Sequence, residues 1–269
     1  MEYVSVRDVE VPALGFGTWQ MTGEECRTAV ENAIELGYRH IDTAQLYNNE
    51  EAVGQAIANS DVDRDEIFLV TKVLRRNLSY DDVIRSVENS LDRLDTDIDL
   101  LLIHSPSRSV PIEETIEAMN KLQDDGQVTH IGVSNFSVAQ MQNAIDASET
   151  PILTNQVEYH PFTDQSEVLE FCIDTGTMLT AYSPLARKNV LGNDTLQEIG
   201  DRYGKTEAQV ALRWLIQQEM VSAIPKAASR DDQQENIDIF DFQLTDDEMD
   251  RIFKLQGGLA SQLRDKLGL

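Results

Sequence analysis

The sequence predicts a (β/α)8 barrel, an α/β TIM-barrel fold built as one domain over residues 1–269, and three observations carry that prediction. Eight short apolar runs alternate with amphipathic stretches along the 269 residues. No Pro- or Ser-rich linker interrupts the alternation. Helical stretches between successive strands impose crossover connections, and those imply parallel pairing. Finally, a doubly wound dinucleotide fold carries GxGxxG where its first strand runs into a helix. Here Gly15-Phe16-Gly17-Thr18-Trp19 lacks the third glycine and does not enter a helix. Eight units in this length therefore suit a closed barrel better than an open sheet.

In chain order the apolar runs are VPALGFGTW (11–19), RHIDTA (39–44), EIFLVTKV (66–73) and DIDLLLIH (97–104). HIGVSNF (130–136), ILTNQVEYH (152–160), TMLTAYSP (177–184) and VSAIP (221–225) follow. Helix signals fall between them. Thr22 precedes Gly23-Glu24-Glu25 at one start, and Ser79 precedes Tyr80-Asp81-Asp82 at another. Pro111 with Glu113 and Glu114 places a proline and two acids in a first turn, and Gly126 closes that helix. Thr206 caps the pattern that runs through Trp214.

Composition excludes several classes of function. Asp and Glu total 48 against 22 Lys and Arg, a net charge of −26. The acids are scattered over the chain, as in Asp61, Asp63 and Asp65 or Asp92, Asp95, Asp97 and Asp99, so they form no acidic tail. Nucleic acid is not an expected partner, because phosphate backbones are bound by basic patches. Self-repulsion on this scale opposes compaction unless salt screens it. With arginine chosen over lysine, the balance points to a salt-adapted, halophilic protein rather than a merely acidic one. No apolar run reaches the roughly 18 residues of a spanning helix, and the first residues carry no signal-peptide pattern. Cys26 and Cys172 lie far apart and form no CxxC pair, so they read as buried free thiols of a cytoplasmic protein.

In a barrel the chemistry lies at the carboxyl ends of the strands. There the sequence places Asp42 with Tyr47 shortly after it, then Lys72 behind Thr71, and His104 before Ser105-Pro106. The later runs end in Ser134-Asn135, Asn155-Gln156, Tyr182-Ser183-Pro184 and Pro225-Lys226. Singly, each has a structural alternative: Asp42 as a loop cap, Tyr47 as a packed ring, Lys72 as a snorkelling side chain, His104 as a core histidine. Together on three consecutive strands they fit one reaction. Reduction of a carbonyl adds hydride to carbon and a proton to oxygen. A phenol with a pKa of about 10 is a poor donor at neutral pH. A neighbouring ammonium lowers that value, and a carboxylate holds the ammonium in place. Tyr47 is then the proton donor, Lys72 its tuner, Asp42 the orienter of Lys72, and His104 a hydrogen-bond donor to the carbonyl.

The stretch GYRHIDTAQLYNNEEAVG (37–54) resembles the first signature of the aldo-keto reductase family throughout. GQVTHIGVSNF (126–136) is similar to the second, with Thr129 where a basic or Glu/Gln residue is usual. IPKAASRDDQQEN (224–236) corresponds to a third region with several changes, and the resemblance runs from about Val11 to Leu255. It implies a barrel, an extended nicotinamide cofactor and a catalytic tetrad on Asp42, Tyr47, Lys72 and His104. It also implies that Ser134, Asn135 and Gln156 hold the carboxamide and that Tyr182 stacks on the nicotinamide. Ser183 and Leu185 would lie along the pyrophosphate, Lys226 at the ribose phosphate, and Ser229, Glu235 and Asn236 at the adenine end. A small-molecule carbonyl substrate and a monomer complete the expectation.

Three departures bear on specificity. An arginine usual near the 2′-phosphate is Asp232 here, and Ala227 follows the matched lysine. NADP(H) is the first choice because Lys226 is kept, with Arg230 as a possible compensation and NAD(H) or dual use as the alternative. The family's frequent HWP is HSP, so Ser105 makes the pocket wider or more polar, while Trp19 still lines it. The chain ends at Leu269, so the long C-terminal loop of larger members is expected to be shortened, as in the small bacterial 2,5-diketo-gluconate reductases. Two rival readings remain. His40 and Asp42 with His104, His130 and His160 suggest a metal-dependent hydrolase, although no metal is expected and that reading has no use for Tyr47 or Lys72. A non-catalytic cofactor-binding barrel is the other.

Overall fold

The computed structural model describes residues 1–256. Residues 257–269 lie outside the described part, and with them the end of the expected domain and the expected shortening of the C-terminal loop. The chain begins with an antiparallel hairpin, β1 (Tyr3–Val6) and β2 (Val9–Pro12). Its alternating pattern buries Val4, Val6 and Val11. This hairpin was not foreseen, and it takes the first residues of the run at 11–19.

Eight parallel strands follow: β3 (Phe16–Gly17), β4 (His40–Asp42), β5 (Phe68–Val73), β6 (Ile98–Ile103), β7 (Val128–Ser134), β8 (Ile152–Glu158), β9 (Met178–Tyr182) and β10 (Val221–Ala223). Each pairs with the next in chain order. The ring closes where Leu14 bridges Ala223 in parallel. Gly15 N donates to Ala223 O at 2.8 Å and Gly17 N to Pro225 O at 3.0 Å. A Cβ on Gly17 would stand 2.9 Å from Ile224 O, so only glycine lets the two backbones meet there. The expected (β/α)8 architecture is present. Strands such as β6, IDLLLI, are apolar at successive positions from Leu100 to Ile103 because both their faces are covered there, and the one acid, Asp99, is bound by Arg64 and Leu69 N.

Ten helices accompany the strands among the described residues. The first six are α1 (Gly23–Glu35), α2 (Glu50–Asn59), α3 (Tyr80–Leu94), α4 (Ile112–Asp124), α5 (Val138–Ala147) and α6 (Ser166–Thr175). Then α7 (Asp194–Tyr203) and α8 (Glu207–Ile216) both lie between β9 and β10, and α9 (Arg230–Ile237) and α10 (Asp246–Phe253) follow the last strand. No helix is long and apolar enough to cross a membrane among the described residues. The amphipathic logic is plain in α3, which buries Val83, Val87, Ser90 and Leu94 at three- and four-residue spacing.

Helix starts differ in detail from expectation. Thr206 forms a capping box with Gln209. Thr22 and Ser79 occupy N-cap positions without a capping side-chain bond; the Ser79 hydroxyl donates instead to Asp82 Oδ2 at 2.6 Å. Pro111 stands one residue before its helix, which closes through Asp125 and the left-handed Gly126, φ +72°. At Gly54 of α2, an added Cβ would lie 2.0 Å from the Leu94 carbonyl oxygen, so that helix and the end of α3 touch backbone to backbone.

Candidate active site

The site is assembled at the carboxyl ends of the strands. Asp42 ends β4, and its carbonyl accepts from Thr18 N and Thr18 Oγ1, both at 3.0 Å. The chain then forms a 3-10 turn, Gln45–Tyr47, which the left-handed Asn48 leads into α2. Three buried side chains hold that turn. Gln45 donates to Ser86 O and Ser90 Oγ, each at 3.1 Å, and accepts from Leu74 N at 3.0 Å. Asn49 accepts from Thr43 Oγ1 at 2.6 Å and donates to Thr18 O and Met21 O. Glu50 accepts from Thr71 Oγ1 at 2.6 Å and from Arg93 Nε and Nη2 at 2.9 and 2.6 Å. Tyr47 is thereby presented from a turn fixed at both ends.

Lys72, fully buried on β5, extends to the same point. Its Nζ donates to Asp42 Oδ1 at 2.5 Å, to Thr43 O at 2.9 Å and to Tyr47 Oη at 3.5 Å. Gln156 Nε2 engages the other oxygen, Asp42 Oδ2, at 2.7 Å. The His104 ring meets Tyr47 edge to face, with centroids 5.8 Å apart.

Burial is the largest influence on each titrating group here. It pushes the Tyr47 phenol up, against the opposing pull of Lys72, and the net direction is upward. The lysine acts in the expected direction but does not prevail. Burial pulls Lys72 down, while Asp42 and the Tyr47 contact more than reverse it, so the ammonium persists. Burial and the Lys72 charge lower His104 to about 4. The imidazole is therefore neutral near pH 7. Its Nδ1 is buried without a partner, and no described residue bonds Nε2.

A cavity of about 290 Å³ opens above these groups. Trp19, Asp42, Tyr47, His104, Ser134, Asn135, Gln156, Tyr182, Ser183 and Lys226 line it, all singled out in the sequence. Gly17, Leu46, Arg187 and Ile224 line it as well and were missed. Ser134 Oγ donates to Gln156 O at 2.8 Å, and Asn135, left-handed at φ +62°, donates to His104 O at 3.0 Å. Tyr182 Oη donates to Asn135 Oδ1 at 2.9 Å. Ser105 lines an adjoining cavity of about 430 Å³ that shares Leu46, His104 and Asn135.

The expected adenine-end residues stand apart from both cavities. Ser229 caps α9, accepting from Asp232 N at 3.1 Å, and Glu235 accepts from Thr206 Oγ1 at 2.8 Å. Asn236 is buried on α9, and Leu185 is half-buried behind Ser183. Arg230 is held by Asn32 and Glu35 of α1, at 2.8 and 2.7 Å, which turns it from the compensating role expected of it. Gln45, Asn49 and Glu50 escaped notice because all their partners but Thr43 lie 21 to 45 residues away in sequence. The histidines considered for a metal are dispersed: His40 packs on Phe68 within the barrel and His160 bonds Thr163. Among the described residues no three His, Cys, Asp or Glu side chains could hold a metal ion together.

The sequence matches the Aldo/keto reductase family over residues 13–256. The chain belongs to that family. This aldo-keto reductase is 41% identical over 246 residues to the glyoxal reductase of Bacillus subtilis (strain 168), covering 91% of this chain and 88% of that one. It is 40% identical over 258 residues to the methylglyoxal reductase DkgA of Escherichia coli (strain K12), covering 92% and 90%. The solved structure of a putative 2,5-diketo-D-gluconic acid reductase B superposes with a TM-score of 0.94 at 46% identity, covering 97% of this chain and 93% of that chain. The protein is accordingly an oxidoreductase that reduces carbonyl groups with NAD(P)H, the reductant of its family. The cavity above Asp42 suits a nicotinamide: Gln156 Oε1, without a partner among the described residues, can accept from a carboxamide, and Ser134, Asn135 and the Tyr182 ring line the same space.

Proposed function

We propose that this aldo-keto reductase reduces small aldehydes and 2-oxoaldehydes with Tyr47 as the proton donor. The observation that carries the reading is buried Lys72 Nζ, 2.5 Å from Asp42 Oδ1 and 3.5 Å from Tyr47 Oη, two residues that line the cavity with His104. Burial keeps the phenol protonated, so it has a proton to give. As that proton passes to the substrate oxygen, negative charge develops on Tyr47 Oη, and the adjacent ammonium stabilises it. Asp42 fixes the ammonium, and Gln156 restrains Asp42 in turn. Neutral His104 directs a ring nitrogen to the carbonyl oxygen. A nicotinamide bound in the cavity would supply the hydride. Ser134, Asn135 and Gln156 would hold its carboxamide, and Tyr182 would support its ring. Trp19, 42% exposed, and Leu46, 54% exposed, offer apolar walls to the substrate. The modest cavity and the two relatives named for glyoxal and methylglyoxal support small dicarbonyls.

NADP(H) is the proposed cofactor, through Lys226, which lines the cavity and has no carboxylate partner among the described residues. Discrimination against NAD(H) should be weak, because Asp231 and Asp232 stand in the first turn of α9 while Arg230 is bound to Glu35. The buried thiols Cys26 and Cys172 support a reducing cytoplasm. The exposed large apolar side chains, Met1, Tyr3, Trp19, Leu46 and Leu191, lie scattered along the described chain and support a monomer.

Tyr47→Phe tests the reading. It should lower aldehyde reduction by roughly 10²- to 10⁴-fold, the usual reach of a positioned acid. Binding of NADPH, followed by quenching of protein fluorescence, should survive. An undiminished rate would sink the assignment.

A further inference from the structure

Most described lysines and arginines of this acid-rich chain lie within 4 Å of a carboxylate. Apart from Arg7 on the hairpin and Lys254 near the last described residue, those without such a partner are Arg75, Arg76, Arg108, Arg187, Lys188 and Lys226. All six stand on loops that follow the carboxyl ends of β5, β6, β9 and β10, on the face that bears the active site. With 48 acids available, most described cations have a carboxylate partner, and six of the eight without one are gathered at one mouth.

Arg187, Lys188 and Lys226 flank the side assigned above to the cofactor. Arg75 and Arg76 do not. They line the adjoining cavity with Leu74 and Ser105, and that cavity shares Leu46, His104 and Asn135 with the central one. Arg76 also borders a groove holding Glu50 and Glu51 but pairs with neither; Arg75 does not border it. Their own 3-10 turn, Arg75–Asn77, is anchored: Gln45 Oε1 accepts from Leu74 N at 3.0 Å and from Asn77 Nδ2 at 3.4 Å. Gln45 also begins the turn that carries Tyr47. One buried amide thus ties the two arginines to the proton donor.

We propose that Arg75, assisted by Arg76, recognises an anionic group at the far end of the carbonyl substrate. The enzyme then favours carboxylated or phosphorylated aldehydes over neutral ones of equal size. A guanidinium suits either anion, because its fork of N–H groups matches paired oxygens. Ser105 leaves the route from His104 to Arg75 free of a bulky ring. Trp19 and Leu46 contact the uncharged middle of the substrate in this arrangement.

The inference rests on the reductase reading, and paired substrates separate the two. The ratio kcat/KM is to be measured for succinic semialdehyde against butyraldehyde, and for glyceraldehyde 3-phosphate against glyceraldehyde. The proteins are wild type, Arg75→Gln, Arg76→Gln and the double variant, in low and in molar KCl, with folding checked by circular dichroism. The wild type should prefer the charged member of at least one pair about tenfold or more, as one charge-assisted hydrogen bond provides. The double variant should lose most of that preference through KM while its rates with the neutral aldehydes stay within about twofold, and molar salt should erode the wild-type preference. The pair with the larger effect identifies carboxylate or phosphate as the group read. Equal treatment of charged and neutral aldehydes by the wild type, or a preference that survives in the double variant, would overturn the assignment. So would a parallel loss on charged and neutral members, which marks a structural role. No reduction of any aldehyde by the wild type would instead remove the reductase reading, and this inference with it.

Discussion

At Tyr47 two effects act on one proton: burial holds it on the oxygen, and Lys72 draws it off. Because burial prevails, reduction should be insensitive to pH across the neutral range. It should decline only on the alkaline side, above the ordinary tyrosine value of about 10. On the acid side the limb belongs to His104, whose value of about 4 keeps it neutral until the solution is strongly acidic. The same depression affects stability. The unfolded chain takes this proton first, so stability is lost as pH falls from the ordinary histidine range through about 4. A pH profile of kcat/KM with an alkaline limb near 7 would contradict this assignment of the donor. Asp42, Tyr47, Lys72 and His104 were readable in the sequence because each follows an apolar run, where a barrel exposes its strand ends. Gln45, Asn49 and Glu50 were not, because Gln45 reads locally as an ordinary loop residue and NNEE (48–51) as a helix start. Their partners Ser90, Met21 and Arg93 become neighbours only through the fold.

Among the elements, the barrel strands were readable for the same reason that β6 is apolar at every position from Leu100 to Ile103: covered on both faces, they need no alternation. The hairpin β1–β2 escaped because two four-residue strands carry too few alternating positions to stand out. Helix α9 is polar on nearly every side and buries only Gln233 and Asn236, so it offers no apolar stripe. The contact between α2 and α3 yields a prediction. Gly54→Ala places a methyl carbon 2.0 Å from the Leu94 carbonyl oxygen and 2.6 Å from its carbon, and backbone cannot move aside as a side-chain tip would. The variant should lose about 1–3 kcal/mol or more in denaturant unfolding. The loss should reach the site, because α2 begins with Glu50, which supports the turn bearing Tyr47. Stability equal to wild type would show that the two helices separate freely.

Over the whole molecule, a net charge of −26 opposes compaction, and the described ion pairs leave most acids without a cation. Raising salt from about 0.1 M to 1 M shortens the screening length from about 10 Å to 3 Å, which weakens that repulsion more than it weakens buried contacts. The melting temperature should therefore rise with KCl, measured by calorimetry at pH 7. A flat or falling response would remove the salt-adapted reading. Against this field the join between the first and last barrel strands has a particular consequence. Gly15 and Gly17 meet Ala223 and Pro225 through main-chain atoms, and Gly17 and Ile224 are also walls of the cavity. The bore of the active site is thus gauged by peptide geometry. Exchanging rim side chains such as Leu46, Ser105 or Arg75 alters what the enzyme accepts while the width of the entrance stays as the backbone has set it.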